Sequence, residues 1–411
     1  MTRARIDLLS PPFAGHLHPI LGMAQALGSD YDVRVITTPA AVKRVTTAGF
    51  EALPMLSGWE ERLDAIVNTP TATGSNPWRL FNQLSKALKI HQQVRSELES
   101  LYCSSRPELL IADFTLIAVG PVATALGIPW WTSLPSPCVL DGGGGPPCYL
   151  GGLRPIDGWL GKMRDRLGWT MIRGFKHLAA RAFREELRRI GLTSVYRADG
   201  SETVYSEQAI LALGWPELEF RTQWPDPVCF IPPFLYSPPV KCEPPRFAEG
   251  KKHVLVTLGT HLRWAKDRVA SEIEELATLT PDVEFHFSDG DPLGEIRKDL
   301  GNFQRLSYID YRLIGRYDLV VHHAGAGVMA HCLTQGRPAV VYPIDFDQFD
   351  NAVRLERAGL AVRVRRLEDF RRAIEGALAD TEMRERCEDF ARSHDRDESA
   401  TMLRTKVFAR K

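Results

Sequence analysis

Short apolar runs rich in β-branched residues alternate with longer amphipathic segments along the first half of the chain. The apolar runs have the length and composition of buried strands, and they lie at residues 5–10, 31–37, 109–112 and 128–132. Segments with helical periodicity separate them, at residues 20–27, after Pro39 and at residues 119–126. Strands that alternate with helices in this way predict βαβ units and a parallel sheet.

A proline-dense stretch, residues 231–245, interrupts this alternation in the middle of the chain. It cannot continue a helix or a central strand. Beyond it the alternation restarts, with predicted strands at 253–258 and 283–287 and a predicted helix at 265–278. Because 411 residues exceed one ordinary core, we predict an N-terminal domain at 1–235, a linker at 236–250 and a C-terminal domain at 251–411. The last helix is a candidate to cross back to the first domain.

The composition excludes several classes of protein. Lys+Arg and Asp+Glu both number 51, so net charge gives no reason to expect a nucleic-acid partner. The seven cysteines are odd in number and show no Cys-x-x-Cys spacing, which argues for reduced thiols and against a zinc site or a disulfide framework. The N-terminus lacks a signal-peptide pattern, and no apolar run approaches the length of a membrane span. A cytoplasmic location is therefore expected.

A glycine-containing turn in the second half has the pattern of an anion-binding site. The apolar run 317–321 reads as a buried strand, and an apolar helical segment follows Gly325 and Gly327. Unpaired backbone N–H groups and the positive end of the helix dipole converge at such a turn. Glycine at both positions is expected to let a phosphate approach the backbone without a Cβ in the way. His323 lies at the mouth of this turn as a further hydrogen-bond donor. In the loop predicted after the next strand, Asp347-Gln348 offers carboxylate and amide groups suited to sugar hydroxyls.

These residues resemble the donor-binding signature of the nucleotide-sugar-dependent glycosyltransferases, a family that includes plant UDP-sugar transferases, bacterial macrolide and sterol transferases and the rhamnolipid rhamnosyltransferase. That signature runs His-x-Gly-x-x-(Ser/Thr)-x-x-Glu, then Gly-x-Pro, then Asp-Gln and a following Asn. The matching residues here are His323, Gly325, Gly336, Pro338, Asp347, Gln348 and Asn351. The DQFDNA run, 347–352, is close to the rhamnosyltransferase-like branch. The resemblance implies an α/β chain of the GT-B fold, with two Rossmann-like domains facing a cleft.

Two positions depart from that signature. Val328 stands where the family has Ser or Thr, so only its backbone N–H is available to a phosphate. His331 stands where the family has a Glu that grips both ribose hydroxyls, and a neutral imidazole offers one donor and one acceptor. Weaker hydrogen bonding to the ribose suits a dTDP-sugar, which lacks the 2′-hydroxyl, slightly better than a UDP-sugar. The alternative is that His331 is a polar residue on the helix face that contacts no ligand.

A second loop extends the resemblance on the donor side. Val256-Thr-Leu-Gly259-Thr260 is similar to the family's strand–Gly–Ser/Thr loop, whose N–H and hydroxyl touch the diphosphate. An ordinary strand-to-loop turn is the alternative. The Asp-x-Asp pairs at 289–291 and 345–347 lie in a polar turn and inside the sugar motif, so neither is placed as a magnesium site. We therefore expect no metal and no cofactor, with the nucleotide-diphosphate sugar as co-substrate.

The loop after the first strand carries the candidate catalytic base. Residues 10–20 resemble the family's Gly-His-x-x-Pro segment, and His16 takes the position of the base. Imidazole titrates in the useful range, and a carboxylate on its far nitrogen stabilises the imidazolium. Asp113, at the end of the strand 109–112, is the candidate carboxylate. The alternatives are a helix-capping role for His16 and a surface or capping role for Asp113; His18 is interpreted as structural.

The acceptor is expected to bind to variable insertions of the first domain, near residues 55–100 and 135–205. Tryptophans there offer aromatic walls for an apolar acceptor, and the glycine-rich run 141–147 is predicted to be a loop. The segment 162–190 carries nine Lys/Arg against three Asp/Glu, with apolar residues near helical spacing. Two interpretations stay open: weak contact with an anionic membrane surface and, as the more ordinary one, a solvated basic face over the acceptor site.

Together these features lead to one principal hypothesis. The chain is expected to be an inverting, metal-independent hexosyltransferase that moves a sugar from a dTDP- or UDP-sugar to a small, largely apolar acceptor, as a monomer or homodimer. A nucleotide-sugar epimerase or hydrolase on the same architecture is a second hypothesis. A non-catalytic nucleotide-sugar-binding protein is a third, because Val328 and His331 both weaken the signature.

Overall fold

The computed structural model describes residues 3–69, 72, 76–141, 144–239, 243–261, 263–395 and 397–410. The chain divides into two compact units. Unit 1 comprises Met1–Ile66, Ser75–Tyr236 and Asp397–Lys411, and unit 2 comprises Val67–Gly74 and Ser237–Arg396. The change between units at Tyr236 and Ser237 falls in the proline-dense stretch. Residues 240–242 of the predicted linker, with Cys242, and Gly142 and Gly143 of the predicted glycine-rich loop lie outside the described residues.

Unit 1 is built on a parallel sheet of seven strands in the order β3-β2-β1-β4-β5-β6-β7. The strands are β1 (Arg5–Leu9), β2 (Asp32–Thr37), β3 (Glu51–Pro54), β4 (Leu109–Asp113), β5 (Trp130–Leu134), β6 (Ile210–Leu213) and β7 (Val228–Ile231). Its first seven helices are α1 (Ala14–Leu27), α2 (Pro39–Thr47), α3 (Glu60–Val67), α4 (Pro77–Ser104), α5 (Val119–Leu126), α6 (Gly158–Ala182) and α7 (Arg184–Arg189). The predicted alternation of strand and helix is thereby confirmed.

Both faces of this sheet are buried, as β4 illustrates. Its residues Leu109 and Ile111 belong to the core that contains α1. Leu110 and Ala112 belong to the core that contains residues of α4 and α5. Successive side chains of a strand point to opposite faces, so a strand covered on both sides reads as one continuous apolar run.

Unit 2 repeats this plan with a seven-stranded sheet in the order β10-β11-β9-β8-β12-β13-β14. The strands are β8 (Lys252–Thr257), β9 (Val283–Ser288), β10 (Arg297–Leu300), β11 (Phe303–Leu306), β12 (Leu319–His322), β13 (Ala339–Val341) and β14 (Ala361–Arg363). All neighbours are parallel except β10, which runs antiparallel to β11 at the sheet edge. The helices are α8 (Arg263–Leu279), α9 (Ala326–Thr334), α10 (Gln348–Arg357), α11 (Phe370–Ala379) and α12 (Thr381–Arg392).

The last helix, α13 (Glu398–Phe408), belongs to unit 1. Leu403 and Val407 are buried in the core that α1 also fills. Arg404 donates a hydrogen bond through Nε to the carbonyl of Ala26, 2.5 Å away, near the end of α1. The chain therefore returns to the first unit after completing the second.

The prediction that the loop after β1 covers residues 10–20 was wrong in its second half. Helix α1 begins at Ala14 and contains Pro19. A proline inside a helix removes one backbone hydrogen bond, which is why the pattern suggested a later start. The helix forms nevertheless because Leu17, Ile20 and Leu21 are fully buried against the sheet, and tertiary packing outweighs local propensity.

Cysteine pairing and membrane-spanning helices can be assessed in the described part of the chain. Six cysteines lie in it and none forms a disulfide: Cys103, Cys138, Cys148, Cys229, Cys332 and Cys387. Among the described helices, none combines the length and the apolar character that a bilayer-spanning helix needs.

Candidate functional site

In unit 1, the candidate base and its carboxylate meet at the carboxyl ends of two adjacent strands. Strands β1 and β4 pair in parallel, with Leu9 opposite Ala112. His16 lies in the first turn of α1, directly after β1, and Asp113 is the last residue of β4. Nδ1 of His16 is 3.0 Å from Oδ2 of Asp113. The structure thus brings together two residues that are 97 positions apart.

The carboxylate is held on both oxygens. Oδ1 of Asp113 accepts hydrogen bonds from the backbone N–H of Thr115, at 3.0 Å, and from its hydroxyl, at 2.5 Å. The side chain of Asp113 is fully buried, whereas that of His16 is 27% exposed. An Nδ1–H donated to the carboxylate leaves Nε2 as the basic ring nitrogen. Sequence reasoning missed Thr115, although Asp followed two residues later by Thr is a common local hydrogen-bonded turn.

Aromatic rings surround this pair. The ring of His16 is 5.8 Å from that of Phe114 and 6.3 Å from that of Phe13, measured between centroids. His18, which was interpreted as structural, lies 5.2 Å from the ring of Tyr236. The imidazole of His16 is therefore fixed in orientation by one carboxylate and flanked by apolar surface.

In unit 2, the glycine turn has the geometry of a helix N-terminus directly after a buried strand. Gly325 is the N-cap of α9, which begins at Ala326, four residues after β12 ends at His322. The first N–H groups of a helix have no partner within it and are available to an anion. Gly327 is exposed, and a Cβ built there meets nothing within 4 Å. Val328 is buried in the core, so only its backbone is available at this turn.

The ring of His323 occupies the space between two glycines. A Cβ at Gly259 would lie 2.8 Å from Cε1 of His323, and a Cβ at Gly325 would lie 2.4 Å from its Nε2. Gly259 also has a positive φ of 72°. Sequence reasoning assigned Gly325 to close approach of a phosphate; the structure shows that the glycine is needed for His323 itself.

Burial and nearby basic groups keep His323 neutral. Burial lowers its pKa to about 4, and the neighbouring Lys266 and His261 act in the same direction. Lys266, on α8, is buried and donates a hydrogen bond to the carbonyl of Asp289. Thr260, half-buried, lies between Gly259 and these basic residues in the chain. Sequence reasoning missed Lys266 and His261; the signal was two basic residues just after the strand–Gly–Thr loop.

His331 lies on α9 against a buried aromatic ring. Its side chain is mostly buried, and its ring contacts that of Tyr311 edge-on at 5.4 Å. The hydroxyl of Tyr311 is 3.2 Å from that of Thr257. Burial raises the pKa of Tyr311 to about 12. Tyr308 stacks on Tyr311 at 6.2 Å. Only a small part of the His331 imidazole therefore remains accessible to a ligand.

The prediction that Asp347 and Gln348 both lie in a loop was wrong for Gln348. Asp347 is the N-cap of α10, and Gln348 is its first residue. Oε1 of Gln348 accepts hydrogen bonds from the N–H groups of Ile344, at 2.9 Å, and Asp345, at 3.1 Å. The amide oxygen thus stabilises the preceding turn, which leaves the amide nitrogen for a ligand.

Asn351 connects Asp347 to the glycine turn. Its Nδ2 donates to the carbonyl of Ala324, at 3.1 Å, and approaches Oδ2 of Asp347 at 3.3 Å. Ala324 has a positive φ of 64°, which is unfavourable for a residue other than glycine. Asn351 is therefore a positioning residue that holds both the turn and the carboxylate.

With this geometry in place, comparison with known families is decisive for the second half of the chain. Residues 253–400 match the glycosyltransferase family 28 C-terminal domain. Residues 253–400 therefore form a glycosyltransferase family 28 C-terminal domain. No curated protein matches the chain.

Solved structures resemble the chain over its whole length. The glycotransferase of kitacinnamycin superimposes with a TM-score of 0.73 at 20% identity, covering 100% of this chain and 99% of the other. SnogD from Streptomyces nogalater gives 0.70 at 19% identity, covering 98% and 100%. SsfS6 from Streptomyces sp. SF2575, solved with thymidine diphosphate, gives 0.67 at 18%, covering 98% and 99%. The likeness confirms the GT-B fold class, with two Rossmann-like α/β domains.

Gly325 and Gly327, at the start of α9, differ in what an added methyl group would contact. We expect Gly325→Ala to destabilise the protein by about 1–3 kcal/mol because its Cβ displaces the His323 ring. Gly327→Ala, in the open first turn of α9, is the matched control and is expected to leave stability unchanged or slightly raised. Urea unfolding of both variants measures the difference.

The double variant Gly325→Ala/His323→Ala identifies the cause. Removing the imidazole is expected to restore most of the lost stability. If Gly325→Ala unfolds at the same urea concentration as the parent, the ring of His323 is not confined as described.

Proposed function

We propose that this glycosyltransferase transfers a sugar from a dTDP-sugar to a hydroxyl of a small, largely apolar acceptor, with inversion at the anomeric carbon and without a metal ion. The observation that carries the proposal is the 3.0 Å hydrogen bond between His16 and the buried carboxylate of Asp113. A histidine oriented in this way is a general base for deprotonating a hydroxyl.

Unit 1 supplies the base. The acceptor hydroxyl gives its proton to Nε2 of His16 while its oxygen attacks the anomeric carbon. The bond from that carbon to the diphosphate oxygen breaks, and the leaving diphosphate takes the electron pair. A single displacement of this kind inverts the configuration. Asp113, held by Thr115, stabilises the imidazolium that forms.

Unit 2 supplies the donor site. The exposed N-terminus of α9 at Gly327 offers backbone N–H groups to the diphosphate. His323, neutral at pH 7 because burial lowers its pKa to about 4, acts as a hydrogen-bond donor and not as a second positive charge. Asp347 and the amide nitrogen of Gln348 are assigned to the sugar hydroxyls. The thymidine diphosphate bound to SsfS6 supports a dTDP-sugar over a UDP-sugar.

Metal independence is supported by the hydrogen bonds that the nearby carboxylates already make. Both oxygens of Asp289 accept from Arg305, at 2.9 and 2.8 Å. Asp345 is buried and accepts from the N–H of Phe346 at 3.0 Å. These carboxylates already accept hydrogen bonds from the protein. The N-terminus of α9, and not a metal ion, therefore stabilises the negative charge of the leaving diphosphate in this proposal.

The apolar character of the acceptor is supported by the surroundings of the base. Phe114, next to Asp113, packs against a buried apolar cluster that includes Cys138 and Tyr205. Trp224 packs on the same cluster, and the guanidinium of Arg221 lies 4.4 Å from its ring. This environment favours an apolar molecule.

One carboxylate beside that cluster is available for a polar group of the acceptor. The side chain of Asp141 is 3% exposed. Its Oδ2 accepts a hydrogen bond from the hydroxyl of Tyr196 and lies 3.5 Å from Nζ of Lys176 and 3.7 Å from Nε of Arg173, whereas Oδ1 has no partner among the residues that the structure describes. An Oδ1 that is buried without a partner is costly, and a hydroxyl of the acceptor would satisfy it.

The assigned roles separate binding from transfer. His16→Ala is expected to lower transfer by about 10²–10⁴-fold, the range for losing a positioned general base, with donor binding nearly intact. Asp113→Asn is expected to lower transfer less. His323→Ala is expected to weaken dTDP binding itself. The measurements are the Kd for dTDP by calorimetry and the turnover of each variant.

His18→Ala, two residues from the base, is the matched control and is expected to keep most of the activity. Release of free sugar without an acceptor is measured in parallel, because a hydrolase would not need one. Full transfer by His16→Ala at neutral pH contradicts the assignment of the base.

The nucleotide preference depends on His331. Replacing it with Glu supplies two acceptors for a ribose diol, so His331→Glu is expected to shift preference toward UDP by up to about 1–2 kcal/mol, the worth of one or two hydrogen bonds. Competition between UDP and dTDP measures this shift. His331→Gln, with a single carbonyl acceptor, is the control. An unmoved ratio would show that His331 does not face the ribose.

Transfer is expected to continue in excess EDTA, because the backbone N–H groups at the start of α9 stabilise the diphosphate charge without a metal ion. Initial rates with and without the chelator test this. Loss of activity that Mg²⁺ or Mn²⁺ restores would refute the metal-independent account.

A further inference from the structure

Helix α6 exposes an apolar stripe along most of its length. Large hydrophobic side chains at positions 160, 163, 167, 171 and 178 are each more than half exposed: Leu160 57%, Met163 57%, Leu167 62%, Met171 60% and Leu178 60%. The spacing of three, four, four and seven residues places all five on one side of the helix. Trp159, 71% exposed, borders the stripe at its start.

The packed side of α6 is a different one. Gly161, Gly168 and Ala179 are its buried residues, and they lie about a quarter-turn or more away from the stripe. At Gly168, an added Cβ would come within 2.7 Å of Pro147, so the helix backbone is closely packed there. α6 therefore has two apolar sides, and the packing described in unit 1 uses only one of them.

The local charge of residues 162–190 indicates which kind of surface the exposed side of α6 contacts. Residues 162–190, spanning most of α6 and all of α7, carry nine Lys/Arg against three Asp/Glu, although the whole chain has 51 of each. The rest of the chain is therefore net acidic, and the basic excess is local. The acidic residue of α6, Asp165, is paired with Arg164 at 2.6 Å. Arg166 and Arg181 are exposed beside the stripe.

We propose that the exposed side of α6 rests on a membrane surface that contains anionic lipids. An apolar stripe between basic side chains, with tryptophan at one end, is the pattern of a helix lying in the interfacial plane. A second copy of the chain fits less well, because a symmetric contact would bring two basic helices together. A single convex helix also suits a flat fluid surface better than it suits a grooved protein partner.

A neighbouring exposed aromatic enlarges the surface. Phe81 of α4 packs against Phe175 of α6 with ring centroids 5.8 Å apart. Trp78, one turn earlier on α4, is 81% exposed. The amino end of α4 thus lies beside α6 and adds a tryptophan of the kind that is enriched at membrane–water interfaces.

Co-sedimentation of the full chain with vesicles tests the proposal. We expect binding to vesicles of phosphatidylcholine with phosphatidylglycerol, weak binding to phosphatidylcholine alone, and a loss of affinity as salt is raised. The double variant Leu167→Ser/Met171→Ser is expected to bind at least about tenfold more weakly, since two apolar side chains no longer insert. Because both residues are exposed, its far-ultraviolet circular dichroism and unfolding midpoint should match the parent.

The matched control is Leu293→Ser/Ile296→Ser, which removes two exposed apolar side chains of unit 2 and is expected to bind like the parent. Arg166→Glu/Arg181→Glu is expected to abolish the preference for anionic vesicles. Three results would overturn the proposal: no binding of the parent to anionic vesicles, equal loss in the unit 2 control, or a dimer in sedimentation velocity that the stripe variant dissociates. None depends on sugar transfer.

Discussion

The reversal of strand order within each sheet is the constraint on which both candidate clusters depend. In unit 1 the order reverses between β1 and β4, and in unit 2 between β8 and β12. Loops that leave two such neighbours run to opposite sides of the sheet, which opens a crevice at the carboxyl edge. His16 and Asp113 flank the first reversal, and Gly259 and His323 flank the second. Residues far apart in the chain meet there because parallel pairing aligns the strand ends.

The two histidines show how environment sets a chemical role. His16 is partly exposed, and its Nδ1 is hydrogen-bonded to a buried carboxylate, which orients the ring. His323 is enclosed by Gly259 and Gly325 beside Lys266, and burial lowers its pKa to about 4. The same side chain is thereby suited to accepting a proton in one unit and to donating a neutral hydrogen bond in the other.

Several residues that match the donor signature form hydrogen bonds to the protein's own backbone. Asn351 bonds to the carbonyl of Ala324, which has a positive φ, and Gln348 gives its amide oxygen to the turn at Ile344 and Asp345. Such contacts fix the geometry of the first layer of binding groups. A residue that matches a family motif is therefore not by that fact a ligand contact, and only its hydrogen bonds distinguish the two roles.

The sequence alone determined the repeating strands and helices and the glycine turn before α9, because apolar period and turn residues are local properties. The pairing of His16 with Asp113, 97 positions apart, was implied by the family resemblance and depends on the parallel pairing of β1 and β4. Tertiary structure decided the rest. Packing of Leu17 and Ile20 starts α1 before Pro19, and the position of His323 makes Gly325 indispensable. It also decided which side of α6 is buried at Gly161 and Gly168. These features depend on contacts between distant segments. The pattern of apolar residues along α6 does not indicate which of its two apolar faces packs against the rest of unit 1.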